Sequence, residues 1–461
     1  MTVEKQSAIN MTNNAVNTMG LHLLNLKDNL NLSVDVDLAN KSMDRIQASN
    51  YELGKYFVNI TRMNLLSDAK NPITRIFFAD NSLKNNVKTP VSEVAYSPIW
   101  KYGVSYDKDT GNFIFTRGNG NSSGSIDNLT PAVLASPVAA QVGGYMNMLD
   151  TYQNAFTHMD MNMLKPLARR TAEINANRYA ISDNMPVAYN SNEMNSSGMW
   201  FKPYASYDSV RFKNGPKVNN MSYGSFIGGD TSIHQFKNGF SGTFSPYIAY
   251  QGSHQSYSGN SIYQNGGTLG FTGTLYKGNF FTGLTAAIGA NVAEANTMYG
   301  HDDFGMLMTG VATKTGYNFE FNDGRFILQP SLMLSYTMVD SFNYTNTAGV
   351  SIHSDPLHAL QIAPQVRFIM NTISGWQPYL TASMNWNLLD ETNVTANITS
   401  LPDVSVKPYF QYGVGIQRTM KDRLTGFLQI VLRNGGRNGI AATGGLRYII
   451  GREKKKSKQR V

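Results

Sequence analysis

The second half of the chain, from Met199 to Ile450, is dominated by segments in which apolar and polar residues alternate. Segment 405–417 shows this most clearly, with one apolar series: Val406, Pro408, Phe410, Tyr412, Val414 and Ile416. Because successive side chains of a strand point to opposite faces, such a segment has one apolar and one polar face. About ten residues of a tilted strand span a hydrocarbon core, where only a closed barrel satisfies every backbone group. The pattern predicts a transmembrane β-barrel.

The composition fits this interpretation and restricts the chemistry. Charged residues make up 15% of the chain and aromatic residues 11%, yet the mean hydropathy is only −0.29. Low charge without strong hydropathy is typical of a barrel, in which apolar lipid-facing residues alternate with polar lumenal ones. The chain contains no cysteine, which excludes thiol catalysis and cysteine-based metal sites.

The alternating segments and their connections predict about twelve antiparallel strands. The expected extents are 199–208, 221–231, 240–251, 264–276, 279–291, 306–321, 325–339, 358–370, 376–388, 404–418, 422–433 and 438–450. Connections after the even-numbered strands are short, and those after the odd-numbered ones are expected to be longer, mostly ten residues or more. Short periplasmic turns and long external loops are typical of membrane barrels. One alternative interpretation is a soluble carbohydrate-binding β protein, but such a protein has no reason to alternate short and long connections in this way.

Charged and amide side chains in these strands fall on the polar face, as the cost of about 2–4 kcal/mol for a lysine or arginine facing the bilayer midplane requires. We expect them to form a structural lining of the lumen that packs against a helix. The expected lining residues are Lys202, Lys314, Glu320, Arg325, Gln329, Arg367, Gln411, Arg433 and Arg447, accompanied by Asp230.

A helix is predicted between the two halves of the chain. Ser136-Pro137 supplies an N-cap followed by proline, and Lys165-Pro166 ends the helix-compatible run. A helix over about 141–164 would be some 35 Å long, enough to thread a barrel. The alternative is an amphipathic core helix outside the lumen. The polar residues that favour the lumen are Asn147, Gln153, Asn154, His158 and Asp160.

The N-terminal part has a different pattern. Residues 1–95 contain short apolar alternations that suggest the last rungs of a parallel β-helix. The segment Tyr96–Thr116 reads as a hairpin of two aromatic-rich strands joined by the turn DKDTGN. Residues 117–130 form a linker of glycine, serine and asparagine.

The remaining features favour structural roles. Much of the net charge of +8 lies in the last eleven residues, GREKKKSKQRV, where the absence of interleaved aromatics favours a solvated tail over a nucleic-acid site. No nucleophile elbow, metalloprotease motif or phosphate-binding loop is present, so neither an enzyme nor a bound cofactor is expected. His301-Asp302-Asp303 is the nearest approach to a cation site, and an exposed loop is the favoured alternative.

Several motifs resemble the autotransporters of Gram-negative outer membranes, which use type V secretion. The resemblance covers roughly residues 90–450. The motifs in chain order are WFKPYASY at 200–207, YGSFIGGD at 223–230, Gly316-Tyr317, Gln329-Pro330 and GLRY at 445–448. The Tyr96–Thr116 hairpin is similar to the junction that closes a pertactin-like β-helical passenger.

This resemblance implies an all-β chain with four parts. Residues 1–130 would be the C-terminal part of a β-helical passenger, 131–197 a linker with the lumenal helix, 198–450 the barrel translocator and 451–461 a basic tail. The implied function is export or display of the passenger at the cell surface. The alternative is a passive pore in which the N-terminal region lies in the periplasm.

The resemblance also implies the partners. A monomeric barrel would contact outer-membrane lipid, its own passenger, the barrel-assembly machinery and periplasmic chaperones. Family members usually end in an aromatic residue that the assembly machinery reads. Here the corresponding signal is Tyr448 and Ile450, and eleven residues follow it. Some members cleave their passenger with asparagine chemistry, but the helix around Asn154 lacks an Asn-Asn pair, so the sequence does not favour cleavage and leaves the question open.

Overall fold

The computed structural model describes residues 1–89, 94–118, 128–157, 159, 197–213, 215–372, 375–420 and 424–450. Two predicted helix residues, His158 and Asp160, lie outside the described residues. The same holds for segments 119–127 and 160–196, which include the predicted helix end at Lys165-Pro166, and for the basic tail.

The second half forms a closed antiparallel barrel of twelve strands, as predicted. The strands are β1 (Gly198–Lys213), β2 (Lys217–Asp230), β3 (Ser241–Tyr257), β4 (Asn260–Lys277), β5 (Phe280–Thr297), β6 (Gly300–Tyr317), β7 (Phe326–Ser341), β8 (Leu357–Met370), β9 (Trp376–Leu389), β10 (Tyr409–Met420), β11 (Leu424–Gly435) and β12 (Arg437–Ile449). Each strand pairs with the next, and β12 pairs with β1 to close the sheet. Closure removes both sheet edges, which a membrane barrel requires.

The predicted faces of the barrel strands are present. In β7, Leu332, Leu334 and Tyr336 are exposed on the outside, whereas Ser331 and Ser335 are buried. This arrangement inverts the usual rule for soluble proteins and suits an apolar solvent. The strand predicted at 404–418 is divided, however. Val406 belongs to a short strand, Ser405–Val406, and is buried, so its predicted position on the lipid face is wrong.

We define the near rim as the barrel end that holds residues 197 and 450, and the far rim as the opposite end. The prediction of long far-rim loops after β1, β3 and β5 is wrong. Only 258–259 separates β3 from β4, and these strands are 17 and 18 residues long. The polar residues continue the pairing ladder, up to Tyr257 opposite Asn260, and positive φ angles at Ser258 (47°) and Gly259 (81°) make the tight turn.

The two long far-rim connections are 342–356 and 390–408. Their short strands form one four-stranded sheet: Tyr344–Thr345, Ser351–Ser354, Val394–Ala396 and Thr399–Ser400. The near-rim connections contain two further short strands, His234–Gln235 and Phe319–Phe321, and a 3-10 turn, Lys237–Gly239.

The N-terminal region is a parallel β-solenoid, as the short alternations suggested. One sheet contains Thr2–Val3, Thr18–Leu26 and Arg45–Glu52, and the other contains Ser7–Asn10, Leu30–Asp37, Val58–Leu65 and Val87–Lys88, with Ser42–Met43 antiparallel at its side. Successive rungs are about 28 residues apart, since Leu32 pairs with Ile60. The Asn59 amide donates to the Asn31 side chain across the same spacing, at 3.1 Å.

An antiparallel sheet closes the solenoid, and the predicted hairpin is confirmed within it. Lys101–Asp107 pairs with Asn112–Arg117, from Gly103 opposite Thr116 to Asp107 opposite Asn112. Val94–Tyr96 and Ile73–Phe77 flank this hairpin, and a 3-10 turn, Lys84–Asn86, lies beside it. The solenoid core continues into the far-rim residues Ile352 and Val394, and the Tyr299 hydroxyl donates to the Ser97 carbonyl at 2.6 Å.

The predicted helix lies inside the barrel, but it begins earlier than expected. It starts at Pro131, passes through a π-helical turn, Ala135–Ala139, and continues over 140–157. Pro131 occupies the favoured first helical position, whereas Pro137 lies in the interior and cannot donate a ladder hydrogen bond. The π-helical turn accommodates this interruption. Within the described residues, no helix has the length and apolar character needed to cross a membrane.

Candidate functional site: the helix-filled lumen

The helix runs from the far rim to the near rim and is enclosed on all sides. Ala140 packs with Ala293 and Ala295 near the far turns, and the Tyr276 hydroxyl donates to the Met159 carbonyl at 3.4 Å near the other end. Between 137 and 157 every residue is buried except Gln153, which is half-buried. The helix therefore presents both its apolar and its polar faces to the inner wall of the barrel.

One side of the lumen, formed by β11, β12 and β1, holds the helix with charged groups; we call it the ionic wall. Arg433 Nη1 donates to Asp208 at 2.6 Å, and its Nη2 donates to Asp150 of the helix at 3.2 Å. Its Nε donates to Gln411 at 3.1 Å. Arg437 Nη2 also donates to Asp208 at 2.6 Å. All four charged residues are buried, and two cations balance two anions.

Further donors from the inner face of the barrel reach the helix itself. Lys202 Nζ donates to the Asn154 carbonyl at 2.9 Å, and Thr443 Oγ1 donates to the Asn154 side chain, also at 2.9 Å. From β3, Gln251 Nε2 donates to the Asn147 carbonyl at 2.9 Å and to Thr151 Oγ1 at 2.6 Å. These bonds fix the helix along the barrel axis because each donor meets one particular turn.

The opposite side, formed by β5 to β8, contacts the helix mainly through an apolar cluster, which we call the apolar wall. Its buried side chains pack against one helix face that carries Tyr145, Met148, Leu149, Tyr152 and Phe156. The wall side chains are Phe281, Ala287, Met308, Ala312, Met333, Val339, Leu357, Ala359 and Ala363. Methionine fills irregular gaps well because its side chain is unbranched and flexible.

Small residues let the helix approach this wall closely. At Gly310 of β6, a Cβ atom would overlap the Tyr152 hydroxyl and the Tyr336 carbonyl oxygen. Tyr152 instead places its hydroxyl 3.1 Å from Thr337 Oγ1. Gly310 therefore provides the space in which the tyrosine ring lies.

Little space remains around the helix. Two cavities lie beside the half of the helix that is nearer the near rim, with volumes of about 50 and 40 Å³. About 10–15 Å³ of such volume is needed to hold one water, so each cavity has room for only a few waters. The described part of the lumen is occupied by the helix and does not form an open channel.

A comparison with family models identifies the barrel. The model described as the autotransporter beta-domain matches residues 199–430, half of the 461-residue chain. The chain belongs to the autotransporter family. Its barrel is therefore an outer-membrane translocator domain of a Gram-negative cell, in a family whose passenger is exposed at the surface. We call the far rim, which carries the solenoid, the external rim and the near rim the periplasmic rim, the orientation that the proposal below requires.

Solved autotransporter structures resemble this one. The beta domain of the Bordetella autotransporter BrkA gives a TM-score of 0.46 at 14% identity, covering 55% of this chain and 99% of that one. The transport unit of AIDA-I from Escherichia coli gives 0.46 at 15% identity, covering 62% and 98%. The translocator domain of NalP from Neisseria meningitidis gives 0.43 at 10%, covering 60% and 95%. A search of curated protein sequences finds no match.

The lining residues predicted from the sequence of this autotransporter occupy different positions. Most of them are buried on the inner face: Lys202, Lys314, Gln329, Arg367, Gln411, Arg433 and Arg447. Arg447 donates to Asp230 at 2.6 Å, which links β12 to β2 near the periplasmic rim. Gln329 donates to Asn318 at 2.9 Å, and the Arg367 guanidinium lies over the Tyr379 ring at 4.7 Å.

The two remaining predicted lining residues lie at the periplasmic rim. Arg325 is exposed in the periplasmic turn before β7, with its guanidinium 5.6 Å from the centre of the Phe326 ring, so its assignment to the lumen is wrong. Positive φ angles at Asn322, Asp323 and Gly324 turn the chain away from the wall just before it. Glu320 is half-buried in the short strand Phe319–Phe321 at the same rim.

The sequence reasoning missed three members of the ionic wall: Asp150, Asp208 and Arg437. Asp208 could have been predicted, because it lies six residues after Lys202 on β1 and therefore points to the same, inner face. Asp150 is an acid in a mostly uncharged helix. Arg437 gave no signal, because it begins β12 directly after Gly435-Gly436, a position that resembles a loop.

The C-terminal residues and the candidate cation site can also be placed. Tyr448 is exposed on the outside of β12, and the amide of Ile450, just beyond that strand, donates to the Ser197 carbonyl at 2.9 Å. His301 pairs with Asp303 at 2.9 Å, while Asp302 accepts the Thr347 amide at 2.6 Å. The described residues contain no group of three potential metal ligands.

Proposed function

We propose that this barrel exports its own N-terminal β-helical region and afterwards retains the helix as both tether and seal. The observation that carries the proposal is the path of the chain. From the solenoid at the external rim, residues 128–157 run inward through the lumen towards the periplasmic rim. A chain that has passed outward through its own barrel would have this path.

The chain would then divide into the four parts expected from the sequence. Residues 1–130 would be the passenger part, 131–197 the linker, 198–450 the translocator and 451–461 a basic tail. The hydrophobic core shared by the solenoid and the far-rim loops supports this division, because it would hold the exported region against the barrel after transport.

The buried polar side chains would hold the helix rather than perform chemistry. Arg433 and Lys202 contact the helix directly, and Gln411 orients Arg433. Gln153 and Arg367 border one residual cavity. We assign no catalytic role and no cofactor to the chain. The sequence has no nucleotide-binding motif that could supply energy for transport. We propose that folding of the solenoid outside the cell instead biases its movement outward.

Assembly of the barrel would require the barrel-assembly machinery and periplasmic chaperones. Tyr448 faces outward and Ile450 lies directly after β12, where both are accessible as a terminal signal. The rival proposal, a passive pore, is not supported by the filled lumen and its small residual cavities.

Protease treatment of intact cells that express the full chain tests the proposal. We expect digestion of the solenoid while the barrel stays intact, because an exported solenoid is accessible from outside. The control is the same treatment after the outer membrane is permeabilised, with a periplasmic protein as marker. A solenoid that is protected in intact cells and digested only together with the marker would overturn export.

A further inference from the structure

Three cations face one another across neighbouring strands at the external rim. Arg211 of β1 lies opposite Lys217 of β2. On its other side, Phe212 pairs with Val406, and the amide of Lys407 donates to the Arg211 carbonyl at 3.4 Å. We call these three residues, Lys407, Arg211 and Lys217, the basic ladder. All three side chains are exposed.

The ladder exists because β1 extends farther than its neighbour. The pairing of β1 with β12 ends at Val210 opposite Arg437, whereas β1 continues to Lys213. The strand Ser405–Val406 of the long external loop covers the remaining edge. Phe212 of β1 and Val406 of this short strand are buried in the same hydrophobic cluster. Arg211 alternates with the buried Phe212 and therefore points outward, and Lys407 is exposed directly after the short strand.

This arrangement is electrostatically unfavourable by itself. Adjacent strands lie about 4.7–4.9 Å apart, and like charges directly opposite each other destabilise a sheet. Within the described part of the chain, no ion pair involves a ladder residue. Asp390, an acid of the same loop, accepts the Val406 amide and the Asn387 side chain, both at 2.8 Å, and among the described residues it forms no ion pair with the ladder.

The ladder lies where lipid headgroups are expected. Outward-facing residues of β1 are apolar up to Tyr207 and polar from Ser209 onward. Arg211 is four residues beyond Tyr207, about 13 Å along the strand, which is about 10 Å along the membrane normal at a tilt of about 40°. Arg211 therefore lies beyond the hydrocarbon core, and its long side chain can reach the external headgroups.

An apolar surface adjoins the cations. A cleft of about 480 Å³ is lined by Lys213, Lys407 and His358 together with Leu388 and Leu389, and also by the acids Asp390 and Glu391. The two leucines are 58% and 55% exposed at the end of β9. Cations beside exposed leucines complement a ligand that has an anionic head and an apolar chain.

We infer that the basic ladder and the adjoining cleft bind the phosphate groups of an anionic lipid in the external leaflet, with its acyl part against the leucines. The lipid phosphates supply the missing counter-charge and offset the repulsion between the strands. A soluble anion would supply the charge without using the leucines.

The test measures binding of lipid A, a phosphorylated glycolipid, to the full chain in neutral maltoside micelles by native mass spectrometry. The double variant Arg211→Gln/Lys407→Gln should bind about tenfold more weakly or worse, because two charge-assisted contacts are lost. The matched control, Lys237→Gln, removes an exposed cation at the periplasmic rim and should leave binding within about twofold of the unmodified chain. Equal binding by the double variant would overturn the proposal.

A second readout guards against a folding defect. Without lipid, the double variant should unfold at a temperature equal to or above that of the unmodified chain, because the repulsion is relieved. Lipid A should raise the unfolding temperature of the unmodified chain more than that of the variant. Equal stabilisation of both, or displacement of lipid A by inorganic phosphate at comparable concentration, would overturn a lipid site.

Discussion

The two walls of the lumen hold the same helix by different physics. The ionic wall contacts it through a few directed bonds, among them Arg433 to Asp150 at 3.2 Å and Lys202 to the Asn154 carbonyl at 2.9 Å. The apolar wall contacts it through many non-directional contacts around Met308 and Met333. The apolar contacts favour burial but tolerate sliding, whereas each ionic contact fits only one axial position. The ionic wall therefore sets the register of the helix, and the apolar wall excludes water.

The largest effect is expected from removal of Arg433. Arg433→Ala leaves Asp150 and Asp208 to share Arg437, and loss of one partner from a buried ion pair costs about 3–5 kcal/mol. Thermal unfolding in micelles should show this loss. The exposed Arg325→Ala should change stability by less than about 0.5 kcal/mol.

Charge balance sharpens this prediction. Adding Asp150→Asn to Arg433→Ala restores one cation for one anion, so the double variant should be more stable than Arg433→Ala alone. A double variant that is less stable by the sum of the two single effects would show that the wall does not act as one network.

A smaller effect is expected from the apolar wall. Met308 is fully buried against the helix, and Met308→Ala should cost about 2–4 kcal/mol by creating a cavity. The helix should keep its register, because the ionic contacts remain. Hydrogen exchange of the helix amides would measure this, and loss of protection as great as in Arg433→Ala would contradict the division of roles.

The smallest effect on the helix is expected from the external loop, which belongs to neither wall. Burial raises the pKa of Asp390 to about 6, despite opposing hydrogen bonds from the Val406 amide and Asn387. An undocked loop would lose its proton near the ordinary pKa of 3.8. Docking should therefore be strongest below about pH 4 and weaken as the pH rises to about 6.

Exchange of the Val406 amide reports this docking. In Asp390→Asn the dependence between about pH 4 and 6 should disappear once the intrinsic exchange rates are subtracted. A slope that persists in the variant would assign the titration to another group. The helix amides should show no matching change in either protein.

The barrel was predictable because alternation in residues such as those of 409–417 reports directly on burial. Strand lengths were harder to predict, because the polar residues around Ser256 and Ser261 suit a loop and an extended hairpin equally well. The start of the helix was missed because Pro131 and Pro137 carry the same local signal. Only the enclosing barrel, which stabilises a helix through its π-helical turn, decides between them.

The site was predictable in part. A charge on the inner register, such as Arg433, is expected to face the lumen, but its partner depends on how the helix is rotated. Asp150 and Asp208 are 58 residues apart in sequence and meet through Arg433 only in the folded barrel. The 28-residue spacing of the solenoid was overlooked because its rungs repeat burial and amide positions rather than residue identity.

Single-channel conductance in planar bilayers tests most directly the claim that the helix fills and seals the barrel. The full chain should conduct little, because the cavities beside the helix have room for only a few waters each. A variant that lacks residues 141–157 should still form a β-barrel by circular dichroism and should show a large, stable conductance. A folded deletion variant with the same low conductance as the full chain would contradict the account.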